Sequence, residues 1–244
     1  MMKPRLEHFS IVLNKPRFPE NIGSAARVAR NMGISHLILV DPENPDKERM
    51  RHLATRMGAD IIKSIKIYDE LTEAVADFGH VVGTTARTGG VRSSVKSPRS
   101  IAPYLAGLSE NNRIALVFGP EDRGLTNHEI RLCHTLVRIP TSSFSSLNLS
   151  HAVMIVCYEL FTTGMPKGLP QIPKLADSKE MECMYDRLKK ILIEIDFIKD
   201  DNPDYRMMKI RRSFARAHMT SRDAATILGI CRQIEWRINN LSKT

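Results

Sequence analysis

An α/β fold with a parallel sheet, followed by a small helical domain, is predicted by two features of this 244-residue chain. From residue 9 to 164, short β-branched or aliphatic runs alternate with amphipathic helical patterns, as a sheet with crossover helices requires. Beyond residue 179 only the helical period remains, with Met184, Leu188, Ile191, Leu192, Ile195 and Ile198 at three- and four-residue spacings.

Taken in order, the runs predict strands at 9–13, 36–40, 65–68, 80–84, 113–118 and 135–139. Helices are predicted at 22–32, 46–57, 69–78, 98–107, 126–132 and 148–163. Gly33 and Gly58 follow the first two helices where a left-handed cap is wanted, and Pro98 opens the fourth. Pro140 has no N–H to extend a ladder, so the sixth strand must leave the sheet there. Domain boundaries are read as 1–164 for the α/β part, 165–179 for a linker and 180–244 for the helical extension. The stretch from Gly164 to Lys179 holds three prolines and two glycines and cannot form a regular helix. In the extension, helices are predicted at 180–199, 203–217 and 220–241.

Charge and cysteine usage narrow the classes of function. Thirty-six Lys and Arg stand against 27 Asp and Glu, a formal charge of +9, which suits a polyanionic partner such as nucleic acid. The four cysteines lie far apart and form no C-x-x-C pair, so neither a zinc ribbon nor a disulfide framework is expected. Eight histidines never fall at metal-binding spacing, and no metal is expected. The apolar runs are too short to span a bilayer, and Met1–His8 leads into no long apolar segment; no membrane association and a cytoplasmic location are expected. The sequence also lacks G-x-G-x-x-G, G-x-S-x-G and G-x-x-x-x-G-K-S/T, which disfavours dinucleotide, serine-hydrolase and P-loop chemistry.

In open α/β sheets ligands sit at the carboxyl ends of the strands, and four loops there are unusual. Asn21-Ile22-Gly23-Ser24-Ala25-Ala26-Arg27 pairs small residues with a helix start; Asn21 can cap that helix, and Gly23 and Ser24 serve either close helix packing or ligand contact. Thr84-Thr85-Ala86-Arg87 can line a pocket or make an ordinary turn. Gly119-Pro120-Glu121-Asp122-Arg123-Gly124 confines three charges between two glycines, a braced loop suited to positioning a polar ligand. Ser145-Ser146-Leu147-Asn148-Leu149-Ser150 passes directly into an apolar helix, whose mouth offers unpaired N–H groups; Asn148 or Ser146 can cap it.

The first, third and fourth of these loops together resemble the three signature motifs of the SPOUT superfamily of RNA methyltransferases, in its TrmH-type branch. Arg211-Arg212-Ser213-Phe214-Ala215-Arg216-Ala217, with Met219-Thr220 and Gly229-Ile230, resembles the helical extension of the TrmJ-like tRNA methyltransferases. This resemblance implies a deep C-terminal trefoil knot, S-adenosyl-L-methionine as methyl donor, a homodimer, and tRNA as substrate. The implied acceptor is a ribose 2′-hydroxyl, of cytidine or uridine at position 32 of the anticodon loop. Another tRNA position, ribosomal RNA, or a non-catalytic RNA-binding role are the alternatives.

Carried over by motif, Asn21 and Arg27 hold the ribose-phosphate end of the site, Glu121 anchors the arginine or orients the donor's surroundings, and Ser146 and Asn148 line the pocket where donor meets acceptor. Thr84, Thr85, Ala86, Gly119, Gly124, Ile139, Leu147, Asn148 and Ala152 are implied around the cofactor, mostly through backbone groups. RNA contacts are expected from Arg27, Arg87 and Arg123, and in the extension from Arg211, Arg212 and Arg216.

Overall fold

The computed structural model describes residues 3–87, 95–142, 146–164, 174–199 and 202–241, which fall into two compact units dividing between Pro173 and Lys174. In the first unit, seven described strands form one parallel sheet in the order β3-β2-β1-β6-β4-β7-β5. They are β1 (Phe9–Asn14), β2 (His36–Val40), β3 (Lys66–Tyr68), β4 (His80–Thr84), β5 (Val95–Lys96), β6 (Ile114–Phe118) and β7 (Thr135–Val137). Every residue of β1 and β6 is buried, as central strands of a parallel sheet covered on both faces must be. β5 was not predicted, because two residues carry no periodicity.

The helices of this unit are α1 (Pro19–Asn31), α2 (Lys47–Lys63), α3 (Leu71–Val75), α4 (Pro98–Leu108), α5 (Asn127–Arg131) and α6 (Leu149–Phe161). Val12, Ile38, Val40, Val81, Ala115, Val117 and Leu136 form a core with Leu71, Ala74, Val75 and Phe78 of the α3 region and Ile130 of α5. The strand period of two sends Ile11, Leu13, Leu37, Leu39 and Leu116 to the opposite face. On that side α1 packs against α2 and α6, and α6 against α4.

The end of α2 differs from the sequence reading, and the reason is packing. Gly58 does not end α2; it is buried inside the helix, where an added Cβ would lie 3.5 Å from the Arg27 nitrogen and 3.6 Å from the Ala26 carbonyl carbon. Gly23 plays the matching part on α1, since a methyl there would sit 2.1 Å from the Met50 carbonyl oxygen. Close packing of α1 on α2, and not ligand contact, is thus the reason for Gly23. The path through 88–94 and 143–145, on which the expected knot depends, lies outside the described residues.

In the second unit, α7 (Ser178–Glu194), α8 (Pro203–Ala217) and α9 (Ser221–Leu241) pack through Ala176, Met181, Met184, Tyr185, Ile198, Met207 and Ala224. Of the expected linker, 165–173 lies outside the described residues. The remainder is already part of the module: Leu175 is buried and bridges Thr220, and Asp177 caps α7 in a capping box with Glu180. No helix among the described residues is long and apolar enough to cross a membrane, and none of their His, Cys, Asp and Glu side chains group as a metal site.

The α1–α2 contact makes a direct prediction. Gly23→Ala must push the two backbones apart and should cost about 3 kcal/mol of stability, read as a lowered denaturant midpoint; a midpoint within error of the wild type contradicts the packing role.

Candidate active site

Parallel strands point their carboxyl ends to one edge, so the loops after β1, β6 and β7 converge there by topology alone. What joins them is a directed chain of side-chain hydrogen bonds. Asn21 Nδ2 donates to Glu121 Oε1 at 2.7 Å, and Asn148 Nδ2 donates to Asn21 Oδ1 at 2.9 Å. Asn148 Oδ1 in turn accepts from the Ser150 amide at 2.9 Å and the Ser150 hydroxyl at 2.7 Å. Both carboxamides therefore have one workable orientation, because reversing either would set a donor against a donor or an acceptor against an acceptor.

Local chemistry explains why each residue stands where it does. Asn148 is the N-cap of α6, satisfying an amide that the helix cannot. Asn21 does not cap α1, contrary to the sequence reading: Phe18 occupies that position, Pro19 opens the helix, and Asn21 lies inside the first turn with its side chain turned to the other loops. The β6 loop folds tightly on itself, with Gly124 N bonded to the Pro120 carbonyl at 2.9 Å and Gly124 at φ +62°. Gly119 is imposed by that fold, since a Cβ on it would lie 2.4 Å from the Leu125 nitrogen.

Glu121 is anchored by Asn21 and by the Arg17 backbone amide at 3.2 Å, and not by Arg27. Arg17 was missed in the sequence. Its guanidinium reaches Glu43 at 3.2 Å and Asp122 at 3.5 Å, bracing the loops after β1, β2 and β6. The hydrogen bond to Glu43, followed by the charges of Glu43 and Asp122, holds the guanidinium above its ordinary range. The only hint in sequence was a cation at the end of the first strand, too common to single out. Ser150, quoted with its motif but given no role, holds the Asn148 amide.

Other expected residues take different parts. The Thr84 hydroxyl donates to the Val117 carbonyl at 3.1 Å, and the Thr85 hydroxyl closes a turn with the Arg87 backbone, so both are engaged within the fold. Arg87, expected on RNA, donates to the carbonyls of Arg123 (3.2 Å) and Leu125 (2.9 Å), tying the β4 loop to the β6 loop. Arg27, Ser146, Ala86 and Arg123 are exposed, while Ile139, Leu147 and Ala152 are half-buried. Among the described residues Arg27 and Ser146 make no side-chain hydrogen bond. In the second unit Arg211 forms a two-pronged ion pair with Glu182 (2.5 and 2.6 Å) over the Tyr185 ring, so it fastens α8 to α7. Arg212 is half-buried and Arg216 exposed.

Polar groups from separate loops, converging at the carboxyl edge of an open parallel sheet, form the arrangement in which α/β enzymes hold their ligands. Comparison with known proteins narrows that class. The SpoU rRNA Methylase family matches residues 8–158, and the chain belongs to this family. The C-terminal domain of tRNA methyltransferase TrmJ matches residues 179–243. The tRNA (cytidine/uridine/adenosine-2′-O-)-methyltransferase TrmJ of Pseudomonas aeruginosa is 34% identical over 97% of both chains. The tRNA (cytidine/uridine-2′-O-)-methyltransferase TrmJ of Salmonella choleraesuis is 35% identical over 94% of this chain and 97% of its own. The crystal structure of TrmJ from Z. mobilis superposes with a TM-score of 0.77 at 30% identity, covering 93% of this chain and 98% of that one.

The hydrogen-bond chain is separable from the helix cap by one substitution. Asn148→Asp keeps an N-cap acceptor, so stability should stay within about 0.5 kcal/mol, but a carboxylate cannot donate to Asn21. Methyl-transfer activity should fall about 100-fold; an Asp variant as active as the wild type removes the chain from the mechanism.

Proposed function

We propose that this protein transfers a methyl group from S-adenosyl-L-methionine to the ribose 2′-hydroxyl of a pyrimidine nucleotide in tRNA, at position 32 of the anticodon loop. The carrying observation is the Glu121–Asn21–Asn148–Ser150 chain, which joins all three signature loops in one polar wall. The names of the TrmJ relatives, which match over nearly the whole chain, support the substrate class.

The residues present fit the donor. Thr141 Oγ1 and Arg138 Nε, in the segment leaving β7, are buried with no hydrogen-bond partner among the described residues, a state that calls for a polar ligand. Half-buried Ile139 and Leu147 offer apolar atoms nearby in sequence. Backbone groups of the 84–86 and 119–124 segments and of Ile139 and Leu147 would hold the donor, with Ala152 on the first turns of α6. S-adenosylmethionine, when bound, supplies an electrophilic methyl group on a sulfonium.

The protein's own task is to align an acceptor hydroxyl and to stabilise charge as its proton leaves. Asn148 and Asn21, locked in orientation by Ser150 and Glu121, provide alignment without reorganisation. Arg27 brings a cation with a planar fork of donors and serves as an electrostatic clamp on the developing alkoxide and on a phosphate. Ser146, exposed just before α6, is assigned to the same pocket.

The proposed active unit is a homodimer in the cytoplasm. α6 is apolar nearly all round and leaves Met154, Tyr158 and Phe161 exposed in one row, a face that a helix of this kind buries against a partner. Arg212 and Arg216 of α8 supply further cations for tRNA.

Incubation with unmodified tRNA and mapping by mass spectrometry should place one new methyl on the ribose of a pyrimidine at position 32. A methyl on a base, or methylation of ribosomal RNA alone, contradicts the proposal. Arg27→Lys keeps the charge but loses the planar fork; turnover should drop at least about 100-fold while calorimetric binding of S-adenosylmethionine is unchanged. Near wild-type turnover would refute the clamp.

A further inference from the structure

The segment between the two points where α2 is pressed against α1 has no part in the site described above. Met50 and Gly58 mark those points: the Met50 carbonyl faces Gly23, and Gly58 faces the backbone at Ala26 and Arg27. Between them only Ala54 is buried; Arg51, His52, Leu53, Thr55, Arg56 and Met57 are exposed. Thr55 breaks the helix there with φ 60° and ψ 177°. That conformation is essentially confined to glycine, and a β-branched residue held in it is strained. Strain of this kind persists only where the surroundings hold it, and Thr55 lies between the two contacts with α1.

The charge of this segment has one sign. From Arg49 through Gly58 there is no carboxylate. Arg49 is paired with Glu20 at 2.5 Å, whereas Arg51 and Arg56 make no ion pair among the described residues. Leu53 and Met57, the latter 66% exposed, add apolar surface beside the cations. Arg56 lies two residues before Gly58, whose Cβ position is 3.5 Å from the Arg27 backbone nitrogen, so the segment packs against the turn of α1 that bears the arginine assigned to the acceptor.

We propose that the kinked middle of α2 is an RNA-backbone shelf, on which Arg51 and Arg56 bind phosphates flanking the target nucleotide while Leu53 and Met57 lie against sugar or base. The occupant is inferred from complementarity: unpaired guanidinium groups with interspersed apolar side chains, and no acid, match a polyanion with exposed hydrophobic faces. The shelf rests on the function proposed above and names a surface for its substrate.

The test compares tRNA binding by the full-length wild type, Arg51→Ala/Arg56→Ala, Arg51→Lys/Arg56→Lys, and Arg131→Ala, a substitution in α5 on the other face of the sheet. The alanine pair should weaken binding about tenfold at 0.1 M salt and flatten the plot of log affinity against log salt by about 1.5, the loss of two phosphate contacts. The lysine pair should stay within about threefold of the wild type, since phosphate contacts require charge more than a fork. Arg131→Ala should be silent. Unchanged affinity and slope in the alanine pair, with the wild type binding normally, overturns the shelf and leaves the function standing. Dissociation of a dimer by the alanine pair, seen in sedimentation, overturns it in favour of an interface between copies of this chain. Failure of the wild type to bind tRNA overturns the proposed function itself.

Discussion

The carboxamide of Asn21 is the point on which the site depends. It donates to Glu121 and accepts from Asn148, and an amide engaged on both sides cannot turn without losing both bonds. Through it, loops about a hundred residues apart in sequence act as one rigid wall. The parallel sheet makes this possible, because β1, β6 and β7 deliver their carboxyl ends to the same edge and the register of β1 on β6 sets Leu13 beside Phe118. A shift of either strand would carry Asn21 and Glu121 out of reach.

That wall is held from outside by a second set of contacts. Arg17 lies across the loops after β1, β2 and β6, and its charge is matched by Glu43 and Asp122. Arg87 fastens the β4 loop to the carbonyls of the β6 loop. Asn14, at the end of β1, donates to Glu129 Oε1 at 2.7 Å, and Glu129 also closes the capping box of α5 with Thr126. Exposed ion pairs contribute little stability singly; their value here is geometric, since each removes a way for a loop to drift. Meanwhile Gly23 fixes the height of α1 on α2 and so the position of the helix that bears Asn21 and Arg27.

Legibility in the sequence followed the range of each interaction. Central strands were readable because burial on both faces demands continuous apolar runs, as in Phe9–Leu13 and Ile114–Phe118. β5 was not, being two residues long. Asn148 was readable as a cap because its bond to the Ser150 amide spans two residues. The linking role of Asn21 was not, since its partners stand 100 and 127 residues away; local chemistry offered a cap instead. Gly58 shows the same limit, for a glycine that ends a helix and one that admits a neighbouring backbone look alike in one dimension. Arg211 was assigned to RNA as part of a basic run, and only the fold brings Glu182 and Tyr185 against it.

The sequence by itself determined the α/β class, the order of the main elements, the three loops that meet in one polar wall and the helical module that follows them. These are consequences of apolar periodicity, turn chemistry and motif spacing, all local or nearly so. Tertiary structure alone decided which polar atoms meet: Asn21 with Glu121 and Asn148, Arg17 with Glu43 and Asp122, Gly23 with Met50. Hydrogen bonds act over about 3 Å, and no one-dimensional pattern specifies which distant residues the sheet will bring within that distance.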